Sequence, residues 1–326
     1  MPTWKATACA YSNIAFIKYW GNINDELRLP VSGSISMNLD GLRTRTTVDF
    51  ENDLKSDAAV IDGKELPLGP ALDRISKHMD YVRKLANNPH RALVISETNF
   101  PTGAGIASSA SAFAALSLAT AAALEVRLTE RELSALARLG SGSASRSVPG
   151  GFVEWYAGTT HEASYAESIA PVDHWALTDV VAIISKAHKA TGSTEGHSIA
   201  ASSPLQAARI ASAPQRLETC RKAILARDFD AFAEVVELDS NVMHSVMMTG
   251  NPALFYWLPT TLTLMETVRD LRKQGVGVCY TIDAGPNVHC ICAPDAAPKV
   301  IAALQNIPGV LELKQATAGG PAYVEA

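Results

Sequence analysis

A glycine loop between a strand-like run and a long apolar segment constrains the fold of this chain more than any other stretch. The loop reads Pro-Thr-Gly-Ala-Gly-Ile-Ala-Ser-Ser-Ala-Ser at 101–111, and the strand-like run at 92–95 comes shortly before it. The segment that follows, at about 110–124, is alanine-rich and contains neither Pro nor Gly. Because it is apolar on nearly every face, we predict a buried helix in the middle of a domain.

The residues of this loop suit an anion such as phosphate. Gly103 and Gly105 lack a Cβ atom, so the backbone there can turn tightly and approach a ligand closely. Ser108 and Ser109 stand where the helix is predicted to begin, and a helix N-terminus attracts negative charge. The spacing matches neither the P-loop nor the dinucleotide-binding fingerprint. From the loop alone, a phosphate site and a purely structural turn are both open.

Length, charge and cysteine usage bound the possible partners. A chain of 326 residues is long enough for two domains with sizeable cores. A net charge of −5 without a basic block argues against nucleic acid or an anionic membrane surface as a partner. No transmembrane helix and no signal peptide are expected. Five cysteines without a Cys-x-x-Cys pair suit reduced thiols, so we expect a cytoplasmic protein.

Three charged residues stand in contexts that admit a catalytic role. Lys18 follows an apolar run and precedes two aromatic residues and a glycine, so it is either a solvated lysine at a strand end or a cation in a pocket wall. Asp283 begins a turn rich in Gly, Pro and Asn, and it is either a turn initiator or a catalytic carboxylate. Arg146 lies in a second Gly/Ser cluster at 140–147, which favours an anion site over a flexible linker.

The element pattern predicts two domains, at 1–178 and 179–326. The first is expected to contain separate strands at 32–39 and 44–50, and a later helix that begins after Thr129 with a capping-box sequence. The second reads β-α-β-β-α-β with extra helices in the first crossover, which is the ferredoxin-like order.

Six stretches spread over most of the chain are together more specific than the glycine loop. They are Asn-Ile-Ala-Phe-Ile-Lys-Tyr-Trp-Gly at 13–21, Ser-Ile-Ser-Met-Asn-Leu at 34–39, Asn-Phe-Pro-Thr-Gly-Ala-Gly-Ile-Ala-Ser-Ser-Ala at 99–110, Gly-Ser-Gly-Ser-Ala-Ser-Arg-Ser at 140–147, Gly-Gly-Phe-Val-Glu-Trp at 150–155 and Asp-Ala-Gly-Pro-Asn at 283–287. In this order they resemble the GHMP small-molecule kinase superfamily and, within it, the diphosphomevalonate decarboxylases. The resemblance implies an α+β fold: a mixed α/β, ribosomal-protein-like ATP-binding domain, a ferredoxin-like C-terminal domain, a cleft between them, and a homodimer.

The chemistry implied by the resemblance is an ATP-dependent decarboxylation in isoprenoid biosynthesis. ATP with Mg²⁺ phosphorylates the 3-hydroxyl of a 5-phosphorylated mevalonate, and the new phosphate leaves as CO₂ departs. By the same resemblance Asp283 orients or deprotonates that hydroxyl, Lys18 keeps Asp283 ionised, and Arg146 binds the substrate carboxylate. The other residues implied are Tyr19, Asn22, Arg74, Ser141 and Ser143 for the substrate, Asn99, Gly103, Ala104, Gly105, Ala107, Ser108 and Ser109 for ATP, and Ser109 for Mg²⁺.

Departures from the family's pattern fall in segments expected near the substrate. Relatives that use a diphosphate commonly continue Lys-Tyr-Trp-Gly with lysine, whereas this chain has Asn22, and its next basic residue is Arg28. Where the family reads Ser-Ser-Thr-x-Gly-Met, this chain has Glu195 and, in place of methionine, His197. Asn22 and Glu195 together leave less positive charge near the substrate to bind a diphosphate. This favours mevalonate 5-phosphate as the substrate and isopentenyl phosphate as the product. The alternative is a diphosphomevalonate decarboxylase, with another cation such as Arg74 or Lys186 in place of the lysine.

Two further functions stay open at the level of sequence. One is a kinase that stops after phosphorylating the 3-hydroxyl, and the other is a binding or regulatory protein that kept a nucleotide site without catalysis. Loss of the Asp–Lys–Arg set would favour either of them. Because Asp283, Lys18 and Arg146 are all present, the sequence favours the decarboxylase.

Overall fold

The N-terminal half of the chain folds as a large sheet with helices packed on it. The computed structural model describes residues 4–51, 53–100, 108–187 and 192–325. In chain order the elements of this half are β1 (Lys5–Ile17), β2 (Asn22–Asn24), β3 (Leu29–Pro30), β4 (Ser34–Glu51), β5 (Ala58–Ile61), β6 (Lys64–Glu65), α1 (Pro70–Ala86), β7 (Arg91–Thr98), α2 (Ser108–Ala123), α3 (Glu130–Gly140), a 3₁₀ helix (Gly142–Ser147), β8 (Phe152–Trp155) and β9 (Ala166–Ala170).

β4 is one long strand in the middle of this sheet. Its antiparallel register with β1 shifts between Tyr11 and Ser12, and in the bulge that results Gly41 adopts a φ of +85°. The strand pairs with β1 on both sides of the bulge, so the expectation of separate strands at 32–39 and 44–50 is wrong. A glycine in the left-handed region lets the strand continue where the sequence suggested a break.

The predicted buried helix after the glycine loop is confirmed as α2. It packs on β1 and β4, and most of its alanine side chains are buried. Small side chains let the helix axis lie close to the sheet, which holds the start of α2 firmly. The next helix, α3, begins as predicted: Thr129 accepts a hydrogen bond from the backbone N–H of Glu132, and the Glu132 carboxylate accepts one from that of Thr129.

The C-terminal half has its own antiparallel sheet. Its elements are β10 (Thr178–Ile183), α4 (Ser193–Ile199), a 3₁₀ helix (Ala200–Ser202), α5 (Gln206–Ala226), α6 (Phe229–Met248), α7 (Pro259–Lys273), β11 (Val278–Thr281), β12 (Val288–Cys292), α8 (Ala297–Leu304), β13 (Glu312–Thr317) and β14 (Tyr323–Val324). The strand order of this sheet is β11-β12-β10-β13, and its chain order is the predicted β-α-β-β-α-β.

The two halves share part of their core. One face of the second sheet, with Val181 and Ile291, joins Phe16 and Ile17 of β1 in a single cluster of buried side chains. The other face packs against α7 and α8. The end of β1 is therefore held between both sheets, and the residues that follow it lie at the junction of the two halves.

The end of the chain returns to the first sheet. β14 pairs antiparallel with β1, with Tyr323 opposite Cys9. Long-range pairing of this kind has no local sequence signal.

The five cysteines are free and buried, and Cys290 and Cys292 lie in the same core cluster. Among the helices of the described ranges, none has the length and apolarity needed to cross a bilayer.

Candidate active site

Lys18 and Asp283 form an ion pair at the junction of the two halves. Lys18 directly follows β1, and Asp283 lies in the turn between β11 and β12. The Nζ atom of Lys18 lies 2.6 Å from Oδ1 of Asp283. The lysine side chain is 1% exposed, whereas the aspartate side chain is 25% exposed. The structure thus joins two predicted site residues that are far apart in sequence, and it leaves the carboxylate accessible.

The surroundings of this pair favour an ionised carboxylate. Burial by itself would raise the pKa of Asp283, but Lys18, and more weakly His289 and Arg146, hold that pKa below its ordinary value. Burial lowers the pKa of Lys18, and the charges of Asp283 and Asp239 oppose this effect. A carboxylate that stays ionised and is fixed by a lysine can orient a hydroxyl group or accept its proton.

A buried histidine beside the pair is neutral at pH 7. His244, on α6, lies with Nε2 3.3 Å from the carbonyl oxygen of Ile282. Burial, and then the charge of Lys18, lower the pKa of His244 to about 3. His244 therefore adds no positive charge near Asp283.

Arg146 is held rigidly by polar residues of the first sheet. Its Nη1 atom donates to the Ser34 hydroxyl at 2.6 Å, and its Nη2 atom donates to Oδ1 of Asn13 at 3.2 Å. Within the described part of the chain, its buried Nε atom has no hydrogen-bond partner. Burial lowers the pKa of Arg146 to about 10, so the guanidinium remains charged at neutral pH. A fixed guanidinium with a spare donor is suited to a carboxylate.

Asn13 and Ser34 belong to the site, although the sequence did not single them out for a role. The Nδ2 atom of Asn13 donates to the Ser147 hydroxyl at 2.8 Å, which ties β1 to the 3₁₀ helix that carries Arg146. Ser34 opens a run of alternating hydroxyl and apolar residues in β4. That alternation was the available signal, because period two puts all the hydroxyl groups on one face of a strand.

The second Gly/Ser cluster meets the start of α2. The Ser141 hydroxyl lies 3.1 Å from that of Ser109 and 3.4 Å from that of Ser143. Ser108 and Ser109 are the first residues of α2, as predicted. The predicted ATP contacts at the remaining loop positions, Gly103, Ala104, Gly105 and Ala107, lie outside the described residues.

Asn99 and Arg74 both bind main-chain groups. The side-chain amide of Asn99 donates to the carbonyl of Gly41 at 2.7 Å and accepts from the N–H of Arg43 at 2.9 Å, so it braces the bulge of β4. Arg74 donates through Nε and Nη2 to the carbonyl of Gly140, at 3.1 and 2.6 Å. Burial, and then the charge of Arg28, lower the pKa of Arg74 to about 10. Asn99 thus stabilises the bulge of β4, and Arg74 stabilises the end of α3. The predicted ligand contacts of both residues stay predictions.

A cavity of about 480 Å³ opens next to β2. Asn22 lies at its wall, where its Oδ1 atom accepts from the Tyr19 hydroxyl at 2.5 Å and its Nδ2 atom donates to Asp25 at 2.8 Å. We call this space the tail cavity, and its lining residues are Asn22, Asp25, Arg28, Gly192, Glu195 and Ser198. The sequence analysis assigned no role to Asp25 or Ser198. Only the fold shows that both residues line this cavity.

His197 fixes the wall of the tail cavity from α4. Its Nδ1 atom accepts the backbone N–H of Gly21 at 2.9 Å, and its ring stacks on that of Tyr19 at 4.0 Å between centroids. The preceding Gly196 lies so close to Trp20 that a Cβ atom there would come within 2.3 Å of the indole. α4 is therefore seated directly on the segment that carries Tyr19 and Asn22.

Two protein-family models match this chain, one in each half. The family model described as the diphosphomevalonate decarboxylase-like N-terminal domain matches residues 10–166. The family model described as the mevalonate 5-diphosphate decarboxylase C-terminal domain matches residues 179–321. The two together cover most of the chain.

Individual relatives carry two different substrate names. A diphosphomevalonate decarboxylase from Candida albicans is 41% identical over 300 residues, which cover 87% of this chain and 83% of that protein. A phosphomevalonate decarboxylase from Haloferax volcanii is 36% identical, over 98% of this chain and 97% of that protein. A solved structure described as MDDEF in complex with MVAPP, AMPPCP and magnesium has a TM-score of 0.92 and 33% identity, and the match covers 98% of both chains.

Proposed function

Because this chain belongs to the diphosphomevalonate decarboxylase family, it is an ATP-dependent decarboxylase of the mevalonate pathway, and we propose that its preferred substrate is mevalonate 5-phosphate. The product would be isopentenyl phosphate. The roles given to single residues below, a homodimeric state and a cytoplasmic location are parts of the same proposal. The charge of the tail cavity is the observation that carries the choice of substrate.

The start of α2 fits a magnesium nucleotide. When bound, ATP supplies the phosphoryl group that is transferred, and Mg²⁺ offsets its charge. The exposed Ser109 provides a hydroxyl oxygen at a helix N-terminus, a suitable ligand for Mg²⁺. Among the described residues, no group of three or more His, Cys, Asp or Glu side chains is placed to hold a metal ion. This donor set suits a Mg²⁺ ion that is held mainly by phosphate oxygens.

Asp283 orients the 3-hydroxyl of the substrate and accepts its proton. Its side chain is accessible, and its pKa is held low by Lys18 and Arg146 against the effect of burial. The Lys18 ammonium contacts one carboxylate oxygen at 2.6 Å and so limits the orientations of the carboxylate. Positioning of this kind supplies most of the catalysis in phosphoryl transfer.

Arg146 binds the carboxylate that is lost as CO₂. Its Nε atom is a buried donor without a partner in the described ranges, and such a donor is costly unless a ligand accepts from it. The hydroxyl groups of Ser141 and Ser143, next to the start of α2, donate to the 5-phosphate. The substrate then lies between the 3₁₀ helix and Asp283.

Among the described residues that line it, the tail cavity has one cation, Arg28, against the carboxylates of Asp25 and Glu195. Asn22 is neutral and is bound to the Asp25 carboxylate, and Glu195 adds a second carboxylate to the lining. A diphosphate carries more negative charge than a monophosphate, and a charge-assisted hydrogen bond is worth about 1.5–3 kcal/mol. Like charges in the wall oppose the longer anion. This balance supports the monophosphate.

The two cations suggested as replacements for a lysine at position 22 are engaged elsewhere. Lys186 pairs with Glu312 at 2.8 Å on the surface. Arg74 is bound to the carbonyl of Gly140. Neither is among the residues that line the tail cavity.

Mevalonate 5-diphosphate is the second candidate substrate. Arg28 lines the tail cavity and donates through Nε to the carbonyl of Leu139 at 3.0 Å, so one cation does stand near the phosphate tail. Several relatives are named for the diphosphate, while the Haloferax relative is named for the monophosphate. The two substrates are distinguished by the kinetic comparison that closes the Discussion.

Release of labelled CO₂ tests the reaction itself. With carboxyl-labelled mevalonate 5-phosphate, ATP and Mg²⁺, the proposal predicts equal amounts of CO₂ and ADP. ADP without CO₂ would identify a kinase that stops after phosphorylating the 3-hydroxyl. Neither product, from either phosphorylated mevalonate, would identify a binding protein. The mass in solution, measured by light scattering, tests the homodimer separately.

A further inference from the structure

The backbone on both sides of Lys18 is held by charged side chains of the C-terminal half. The N–H of Lys18 donates to Oδ2 of Asp239, on α6, at 2.6 Å. The carbonyl of Lys18 accepts from Nη2 of Arg209, on α5, at 2.6 Å. The same guanidinium donates through Nη1 to the carbonyl of Trp20 at 2.9 Å. Both peptide groups of the catalytic lysine are thereby fixed to two packed helices.

A further arginine connects the side chain of Asp239 to the backbone of Arg209. Arg216 donates through Nε to Oδ1 of Asp239 at 2.6 Å, and through Nη2 to the carbonyl of Arg209 at 3.0 Å. All three side chains are buried. A buried network of this kind has few alternative arrangements, because Arg216 bonds to both of the other residues.

We propose that Asp239 and Arg209 are positioning residues that place the Lys18 ammonium against Asp283. The inference rests on the proposed roles of Lys18 and Asp283, and it does not depend on which phosphorylated mevalonate is preferred. A lysine side chain is long and flexible, so an ammonium 2.6 Å from its partner needs a fixed backbone. Misplacing a catalytic group by about 1 Å can cost about a hundredfold in rate.

Charged residues at this place do more than pack the core. Burying charged groups is costly, and an apolar contact often stabilises a fold equally well. Burial lowers the pKa of Lys18, and the negative charge of Asp239 partly offsets this effect by raising that pKa. The same carboxylate therefore fixes the backbone of Lys18 and helps to keep its ammonium charged.

Another buried ion pair on α6 provides a matched control. Glu237 pairs with Arg272 and accepts the backbone N–H of Tyr280 at 3.2 Å. It lies two residues from Asp239 on the same helix and is likewise buried, and its described hydrogen bonds and ion pair involve Arg272 and Tyr280, which are not residues of the proposed site. Its variant measures what the loss of a buried carboxylate on α6 does to the fold alone.

The pH dependence of the rate separates positioning from mere stability. The charged or titratable groups that act on Lys18 are Asp283, Asp239 and Arg146, and the neutral His244 lies beside it. The negative charge of Asp239 raises the pKa of Lys18 against the lowering effect of burial. Removing that charge is therefore expected to lower the pKa of Lys18 further. The alkaline limb of the kcat profile is then expected to move to lower pH.

The test compares Arg209→Lys, Asp239→Asn and Glu237→Gln with the unaltered protein, using the mevalonate substrate that is turned over faster. Arg209→Lys keeps the charge but loses the fork that spans two carbonyl groups. We expect kcat per folded enzyme to fall about ten- to a hundredfold in that variant, with KM for ATP within about threefold. Asp239→Asn should show a smaller loss and the shifted alkaline limb. Glu237→Gln should lower Tm without either effect.

Two outcomes would overturn the inference. One is unchanged kcat in folded Arg209→Lys and Asp239→Asn enzymes, and the other is a loss that Glu237→Gln reproduces at a similar Tm. Lys18→Met, measured in parallel, shows which claim has failed. If that variant keeps near-normal turnover, the proposed role of Lys18 is wrong. If it is impaired while the other two are not, the lysine acts without the two positioning residues.

Discussion

The Lys18 ammonium and the Asp283 carboxylate meet at 2.6 Å, although one residue follows the first strand of the N-terminal sheet and the other follows a strand of the C-terminal sheet. The reactive carboxylate of the proposed mechanism is therefore assembled from both halves of the chain. Any change that alters how the halves pack, including one far from the substrate, is expected to act on this distance.

Replacing Asp283 by asparagine should abolish turnover and leave ATP binding intact. The amide cannot accept the proton of the 3-hydroxyl, and loss of a general base costs about a hundredfold or more. Steady-state kinetics and calorimetric titration with a non-hydrolysable ATP analogue measure the two properties. The proposed role fails if this variant turns over at near the normal rate.

Replacing Arg146 by lysine should impair the enzyme strongly even though the charge is kept. An ammonium cannot bind Ser34, Asn13 and a substrate carboxylate in the fixed directions of a guanidinium. We expect kcat/KM to fall about a hundredfold, which corresponds to about 3 kcal/mol. Full activity in this variant would mean that Arg146 supplies only a general positive potential.

Replacing His197 by methionine should raise KM for the phosphorylated mevalonate more than it lowers kcat. The backbone N–H of Gly21 would lose its acceptor, and a buried donor without a partner costs about 1–3 kcal/mol. Gly21 lies between Tyr19 and Asn22, so displacement of its backbone in the variant is expected to raise KM about tenfold. His197→Gln, which keeps an acceptor, is the control and should recover part of the loss. Equal effects of the two substitutions on kcat alone would contradict a role in shaping the tail cavity.

Acid should destabilise the fold partly through His78, a buried residue of α1. Burial, and then the charges of Arg74 and Arg28, lower the pKa of His78 to about 3 from an ordinary value of 6.5. Below about pH 6.5 the unfolded chain binds a proton that the folded chain does not, so the free energy of unfolding falls as pH falls through that window.

The size of this effect can be measured by urea unfolding. Between pH 7 and pH 5, His78 should account for a loss of about 2 kcal/mol, which His78→Gln should lack. Glutamine can still bond with the Ser117 hydroxyl, now 2.7 Å from Nε2 of the histidine. Parallel pH dependences in the two proteins would show that His78 is protonated without cost in the folded state.

Features of the fold and site that follow from local chemistry could be predicted from the sequence. The glycine loop and the alanine-rich segment predicted α2, and a threonine three residues before a glutamate predicted the start of α3. The turn that carries Asp283 was also recognisable, because it has its own turn residues.

Features that depend on distant contacts could not be predicted in this way. Asp239 lies more than two hundred residues from Lys18, and no local pattern marks a carboxylate on a helix as the partner of a particular peptide group. The bulge at Gly41 depends on the register between β1 and β4, and the return of β14 depends on a free strand edge. The substrate cannot be deduced from Asn22 alone, because its effect depends on every charge around the tail cavity.

The most direct test of the account is the ratio of kcat/KM for mevalonate 5-phosphate to that for mevalonate 5-diphosphate, measured side by side with saturating ATP and Mg²⁺. A preference for the monophosphate predicts a ratio above one, which Asn22→Lys should lower by about ten- to a hundredfold by adding a charge-assisted contact of about 1.5–3 kcal/mol. Asn22→Asp is the matched control and should not move the ratio towards the diphosphate. A ratio that favours the diphosphate in the unaltered enzyme would contradict the account.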